Sequence, residues 1–250
     1  MVILKSARGF SLIELLVVVA IVAILAGLAM VGYSKYVESA KRGKEMHAAR
    51  VLMAGFHAFA ADNAGRIIKA MDNNPGRVLD NKGKPVMSHA AKRWPWRLAP
   101  YFDYDVDALL VNNQEAAPIK DPMYSYLVTV FTTLGMNGTF VGGKYGTGLA
   151  PDHPRNNKGN FCVTSIAQPH KPSQLIVFAA AKMDGAPAAG CFDVCAPGYG
   201  ATGEVDFKYG NKAVVAYFDG HVEMNTPEQL KDMRRWSNLA AVQDDPNWSF

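Results

Sequence analysis

RGFSLIELLVVVAIVAILAGLAMVGY, residues 8–33, holds a single acid, Glu14, and no further charge until Lys35. Twenty uncharged residues separate the two. As a helix rising about 1.5 Å per residue they span about 30 Å, the thickness of a bilayer's hydrocarbon core. An acid buried in such a run is disfavoured by roughly 3 kcal/mol on insertion scales. A chain needing only an anchor is better served by leucine, so Glu14 calls for a partner. The order of features around the run is also unusual. A secretory signal places its basic start and apolar core ahead of a small-residue cleavage site. Here the basic piece MVILKSARG ends in Gly9, and the apolar run begins directly after it with Phe10.

The octapeptide Gly9-Phe10-Ser11-Leu12-Ile13-Glu14-Leu15-Leu16 resembles the leader junction of type IV prepilin-like proteins, including the pseudopilins of type II secretion. By that resemblance a membrane prepilin peptidase cuts between Gly9 and Phe10 and methylates the new amine of Phe10, and the apolar helix is retained. The resemblance also implies a partner for Glu14: the Phe10 ammonium of the next subunit as it leaves the membrane. Opposite charges attract strongly in a low dielectric, and a buried charge left alone is costly. Such a carboxylate favours addition of a subunit over solitary existence in lipid. The blander reading is a plain anchor with a snorkelling acid.

Four segments follow from this reading: a leader over 1–9, a transmembrane and filament-core helix over 10–33, its amphipathic continuation over 34–62, and a head over 63–250. The implied partners are prepilin peptidase, an inner-membrane assembly platform, lipid before assembly, and further copies of the chain in a helical filament. The implied location is the inner membrane, single-pass with the head outside the cytoplasm, then a periplasmic pseudopilus or an extracellular pilus. The helical pattern supports the division. Apolar residues recur at Tyr33, Tyr36/Val37, Ala40, Ala48, Val51/Leu52, Phe56 and Phe59, near a 3.6-residue period. Charges at Lys35, Glu38, Lys41, Arg42, Lys44, Glu45 and Arg50 fill the other face, and no proline occurs before Pro75. One helix from Phe10 to Ala61 is about 80 Å long.

Composition agrees with a folded chain carrying one apolar span: 250 residues, 49% hydrophobic and 19% charged. The formal charge is +4, and about +2 without Lys5 and Arg8, so no nucleic-acid partner is required. The stretch 62–90 is rich in Asn, Gly, Pro and charge and reads as a long connection. KRWPWRLAPYF, residues 92–102, reads as a short helix or turn placing Trp94, Trp96, Leu98 and Tyr101 against the head. Lys92, Arg93 and Arg97 beside the two tryptophans also allow a stacking patch for single-stranded nucleic acid, though core tryptophans with solvated basic neighbours are commoner.

Further on, residues 121–143 begin as helix and pass through a turn at Gly135-Met136-Asn137-Gly138. QLIVFAAA (174–181) reads as a buried strand, and Val205–Lys208, Ala213–Phe218 and His221–Met224 as further strands. Asp219-Gly220 is a hairpin signal for a type I′ turn, with positive φ at both central residues. Thr226-Pro227-Glu228-Gln229 starts a helix expected to reach Trp236 or beyond. The expected fold is α+β: a long N-terminal helix packed on a small antiparallel sheet.

A narrower resemblance lies in Tyr217-Phe218-Asp219-Gly220-His221-Val222. It looks like the C-terminal signature of a group similar to pseudopilin G, defined by a histidine, nine residues, then Asp-Gly. Gly135-Met136-Asn137 and Pro172-Ser173 look like the same group. The departure is at the histidine position, which is Tyr209 here. By the same resemblance a C-terminal loop binds calcium, and Asp184, Asp193, Glu204 and Asp206 are the oxygen donors at hand; acids in loops are more often simply solvated.

No enzymatic constellation emerges. His47, His57, His89, His153, His170 and His221 lack metal-ligand spacing. Cys191-x3-Cys195 is not a zinc or redox pair, so a disulfide drawn from Cys162, Cys191 and Cys195 is the favoured cysteine chemistry outside the cytoplasm. The Gly-rich stretches GTFVGGKYGTG (138–148) and GYGATG (198–203) lack the P-loop ending. The expectation is a filament subunit without cofactor. The alternative is a membrane-anchored adhesin or ligand-binding module whose head carries the activity.

Overall fold

The computed structural model describes residues 11–105, 123–143, 162–183, 185, 190–196 and 203–249. Helix α1 runs Leu12–Asp62 without a break, as expected of a stretch free of proline. The chain divides into two units, Met1–Lys41 and Arg42–Phe250, so the boundary falls inside this helix. In the first unit, the large apolar side chains from Leu12 to Leu28 are all about half exposed or more, Val18 being lowest at 49%. In the second, Ala48, Ala49, Leu52, Met53, Phe56 and Ala60 are buried. Their spacing of three and four residues defines one face. Tyr33 and Tyr36, expected to open that stripe, are exposed and belong to the first unit.

The stripe packs on an antiparallel sheet. Its strands are β1 (Leu134–Met136), β2 (Ile176–Met183), β3 (Gly203–Val205), β4 (Ala213–Tyr217) and β5 (Val222–Asn225), in the order β1-β2-β4-β5, with β3 also paired to β2. Gly135 faces Ala179, Ala179 faces Val215, and Val215 faces Glu223, while Lys182 faces Glu204. β2 and β4 carry the apolar runs IVFAAA and AVVAY, buried at every one of those positions, as strands covered on both faces are. Phe56 of α1 meets the sheet edge-on, with ring centroids 6.2 Å from Phe178 and 5.5 Å from Phe218. Trp94 closes on Phe178 at 5.1 Å.

Between α1 and the sheet's first strand lie α2 (Ser88–Ala91), α3 (Trp94–Leu98), a 3-10 turn over Ala99–Phe102, and α4 (Tyr124–Val130). Trp94 and Trp96 are core residues. Their indole N–H groups donate to the carbonyls of Phe192 and Ser125, each at 2.7 Å. Neither ring is available as a stacking platform.

Several local expectations are corrected. Gly135-Met136 is strand, not turn; the chain turns from Asn137. The segment 192–195 runs against β1, with Met136 N donating to Phe192 O and Val194 N to Met136 O, both at 2.9 Å. A Cβ on Gly135 would stand 2.7 Å from the Asp193 carbonyl carbon, so only glycine admits this approach. Asn137 is buried and donates its side-chain amide to Ile176 O and Trp236 O, each 3.0 Å away, tying the C-terminal segment to the sheet. β3 ends at Val205 instead of running to Lys208.

The pair of positive φ values lies at Gly210 (56°) and Asn211 (58°), closed by reciprocal Tyr209–Lys212 backbone bonds. At Asp219-Gly220 only Gly220 has positive φ, 97°. There a turn from Tyr217 to Gly220 followed by a left-handed glycine makes a three-residue loop, the other common hairpin solution. The helix after Thr226 is also shorter than expected. α5 (Pro227–Leu230) has the Thr226–Gln229 capping box, but Asp232 caps a 3-10 turn over Met233–Arg235 and Ser237 caps α6 (Asn238–Gln243). Side chains that bond their own backbone compete with a continuous helix.

Candidate functional site

The start of α1 is built from two reciprocal bonds. Ser11 N donates to Glu14 Oε2 at 2.9 Å, and Glu14 N donates to Ser11 Oγ at 3.2 Å. This is a capping box: two of the helix's orphan amides are satisfied by the side chains of the N-cap and third residues. The sequence signal is a serine followed three residues later by glutamate, ahead of an apolar run. Glu14 thus has an intramolecular partner in addition to the intermolecular one that the resemblance implies. A carboxylate in the first turn also complements the helix dipole. The box holds Glu14 close to the backbone amide of Ser11, the residue that follows Phe10. Gly9 and Phe10 themselves, together with the 1–9 leader, lie outside the described residues.

From Leu15 to Leu28 the helix carries only apolar side chains and Gly27. Among the described residues α1 is the one helix long and apolar enough to cross a membrane, and none of its apolar window is buried within the chain. Twelve large apolar side chains between Leu12 and Leu28 are exposed, each forgoing on the order of 1.5–3 kcal/mol if left in water. A contiguous surface of this kind marks a contact with lipid or protein.

A second constellation begins where α1 becomes buried. Glu45, expected on the solvated face, is fully buried. Its Oε2 accepts from the Tyr209 hydroxyl at 2.8 Å and lies 3.4 Å from the Lys208 ammonium. Lys208 also pairs with Asp206 at 3.0 Å. The connection between β3 and β4 is thereby bonded to α1. The phenol of Tyr209 supplies the donor to this buried carboxylate. The signal for burying Glu45 was in the spacing: 45, 49, 52 and 56 share one helical face.

The remaining candidate residues do not converge. No disulfide joins Cys162, Cys191 and Cys195, all of them buried. Burial pushes the Cys162 thiol up to about 12, and Cys195 Sγ donates to Asp193 Oδ2 at 3.7 Å. Of the acids considered for calcium, Asp193 is buried, Glu204 pairs with Lys182 at 3.5 Å, and Asp206 pairs with Lys208. Asp184 lies outside the described residues, as do His153 and residues 144–148 and 198–202 of the two Gly-rich stretches. Among the described residues no group of three His, Cys, Asp or Glu side chains is placed to hold a metal. In the Asp219 loop, Oδ1 of that residue lies 2.6 Å from His221 Nδ1 and accepts from His221 N at 3.1 Å. Burial pushes the Asp219 carboxyl up, but these bonds outweigh it and hold the group below its usual range. The Tyr217 ring stacks on His221 at 4.4 Å, and its hydroxyl is bonded to Asn225 and Arg235, each at 2.6 Å. These contacts brace the hairpin.

The comparisons with known proteins bear on the N-terminus alone. No curated protein and no solved structure matches the chain. The family model of the prokaryotic N-terminal methylation motif matches residues 4–30, a span holding Gly9, Phe10, the Ser11–Glu14 box and the exposed apolar surface. The N-terminus is therefore similar to that of prepilin-like proteins, and the motif indicates pilin- or pseudopilin-like processing, assembly and membrane anchoring.

Proposed function

We propose that the chain is a structural, non-enzymatic subunit of a type IV pilus or of a type II secretion pseudopilus, of the pseudopilin G-like kind. The single observation that carries this reading is an uncovered apolar helix headed by a Ser11–Glu14 cap inside the matched methylation motif. Prepilin peptidase cuts after Gly9, releasing 1–9, and methylates the amine of Phe10. Residues 10–33 reside in the inner membrane with the head outside the cytoplasm, 34–62 continue the helix, and 63–250 form the head.

In lipid the Ser11 amide and hydroxyl hold Glu14 at the helix start. On assembly the Phe10 ammonium of an incoming copy supplies a full positive charge, which a backbone amide lacks. Both bonds are charge-assisted through the carboxylate, but only the ammonium adds the attraction of two full opposite charges, which is strong in a low dielectric. The apolar surface then exchanges lipid for neighbouring helices, where van der Waals packing and small residues such as Ala20, Ala23, Ala26 and Gly27 govern approach.

Electron microscopy of cells expressing the chain with its assembly machinery tests the reading. Thin filaments labelled by an antibody to the head are expected. A chain confined to the membrane as dispersed monomers, with the machinery active on another subunit, would contradict it.

A further inference from the structure

Two adjoining cavities of about 410 and 380 Å³ lie in the head and share Phe59, Asn63, Asp72 and Arg97. Both are in the size range of small-molecule sites. Arg97 stands at the junction. Its Nε donates to Arg93 O at 3.3 Å, and its Nη2 donates to Lys69 O at 2.6 Å and Lys92 O at 3.1 Å. Three carbonyls thus hold the guanidinium in one pose. Desolvation pushes it down to about 10, against the pull of Asp72.

The charges around this space do not balance. Arg66 and Lys69 line one cavity, Arg77 lines the other, and Arg97 lines both; Asp72 is the one acid lining either among the described residues. Asp72 is engaged with Lys69 at 2.9 Å. Arg66 and Arg77 are exposed and make no ion pair among the described residues. Planar guanidinium forks match carboxylate and phosphate oxygens bidentately. The half-buried rings of Phe59 and Tyr104 add aromatic lining.

We propose that the paired cavities bind a monosaccharide-sized organic anion, its carboxylate or phosphate at the Arg97 junction, with Arg66 and Arg77 adding positive charge from the two cavities and its body along Phe59 and Tyr104. This site belongs to the head alone and does not rest on the filament reading. A surface subunit so equipped would recognise acidic sugars or similar small anions.

The test is calorimetric titration of the full-length chain in neutral detergent micelles. Galacturonate and glucose 6-phosphate are the two anionic probes; galactose and inorganic phosphate are the controls. Saturable binding of at least one anionic sugar is expected, weakening as salt is raised. The double variant Arg66→Gln, Arg77→Gln removes two exposed cations and leaves Arg97 in place. It should bind about tenfold more weakly, the equivalent of one lost hydrogen bond to a charged group, with an unchanged melting temperature. No saturable binding of either anionic sugar, equal binding of galactose, or undiminished binding by the folded double variant would overturn the proposal. Inorganic phosphate binding as tightly as glucose 6-phosphate would overturn the role given to the aromatic lining.

Discussion

Leu16 and Leu52 are leucines of the same uninterrupted helix, yet Leu16 is 62% exposed and Leu52 is wholly buried. Around Leu52 the partners are in the chain: Phe56 and its neighbours on α1 face the apolar strands of the sheet. Around Leu16 nothing in the described chain covers the side chain. Each segment also holds a glutamate, and the two are satisfied differently. Glu45 is buried against a phenol and an ammonium supplied from the β3–β4 connection, whereas Glu14 has only the local cap of Ser11. The head end of the helix is complete within one molecule. Among the described residues the N-terminal end is an uncovered apolar surface headed by a carboxylate that only its own cap satisfies.

Breaking the contrast at Glu14 should have the largest effect. Glu14→Val keeps the apolar run, so membrane insertion should be unchanged by fractionation. Subunit addition should fall on the order of 100-fold or more, in line with the 3–5 kcal/mol typical of removing one member of a buried ion pair. Filament yield by electron microscopy reads this out, and abundant normal filaments from the variant would count against charge pairing. Phe56→Ala comes next. It deletes an aromatic ring packed on Phe178 and Phe218 and should destabilise the head by about 3–5 kcal/mol. Leu16→Ala should leave the head's thermal unfolding where it was. Equal losses from the two would mean that the exposed segment is packed within the monomer after all.

Much of this contrast is visible in the residues themselves. The apolar run, the long helix, the buried strands at IVFAAA and AVVAY, and the hydroxyl cap at Thr226 follow from local pattern. What local pattern misses is decided by distant contacts or by competing caps. β1 exists because the 192–195 segment runs alongside Gly135, a contact between residues nearly sixty positions apart. Asp232 and Ser237 cut one expected helix into three pieces. The charge of Glu45 points to solvent, whereas its spacing from Ala49 and Leu52 puts it on the buried face. In the N-terminal site both the motif and the Ser11–Glu14 spacing of a capping box are legible, and only the structure shows that the two bonds form. The cavities draw together α1, the 66–79 connection and α3, contacts that no local pattern announces, although Arg97 belongs to the cation–aromatic stretch 92–102.

Smaller tests sharpen the head's side of the comparison. Tyr209→Phe removes the hydroxyl that bonds the buried Glu45 carboxylate and should cost about 1–3 kcal/mol by chemical denaturation, the usual penalty for stranding a buried polar group. A neutral result would show that Lys208 alone suffices. Asp232→Ala should cost about 1 kcal/mol, as a lost cap does. Its bond to the Arg234 side chain, first among the causes, holds the Asp232 carboxyl below the usual carboxylate range. Because the folded value is the lower one, the stabilisation is present above the ordinary carboxylate pKa near 4 and is lost as pH falls through the folded value. Melting curves of wild type and variant should therefore differ at pH 7 and converge on acidification. A gap that widens towards low pH would contradict the sign of this linkage.

The central claim is that the apolar helix stays on the mature protein and presents a fresh charged amine beside Glu14. Intact-mass measurement of the protein extracted from its native membrane, combined with N-terminal sequencing, addresses it directly. The account predicts a chain that begins at Phe10 and carries one methyl group on that amine. A chain that still carries residues 1–9, or one cut on the far side of the apolar run, would contradict it.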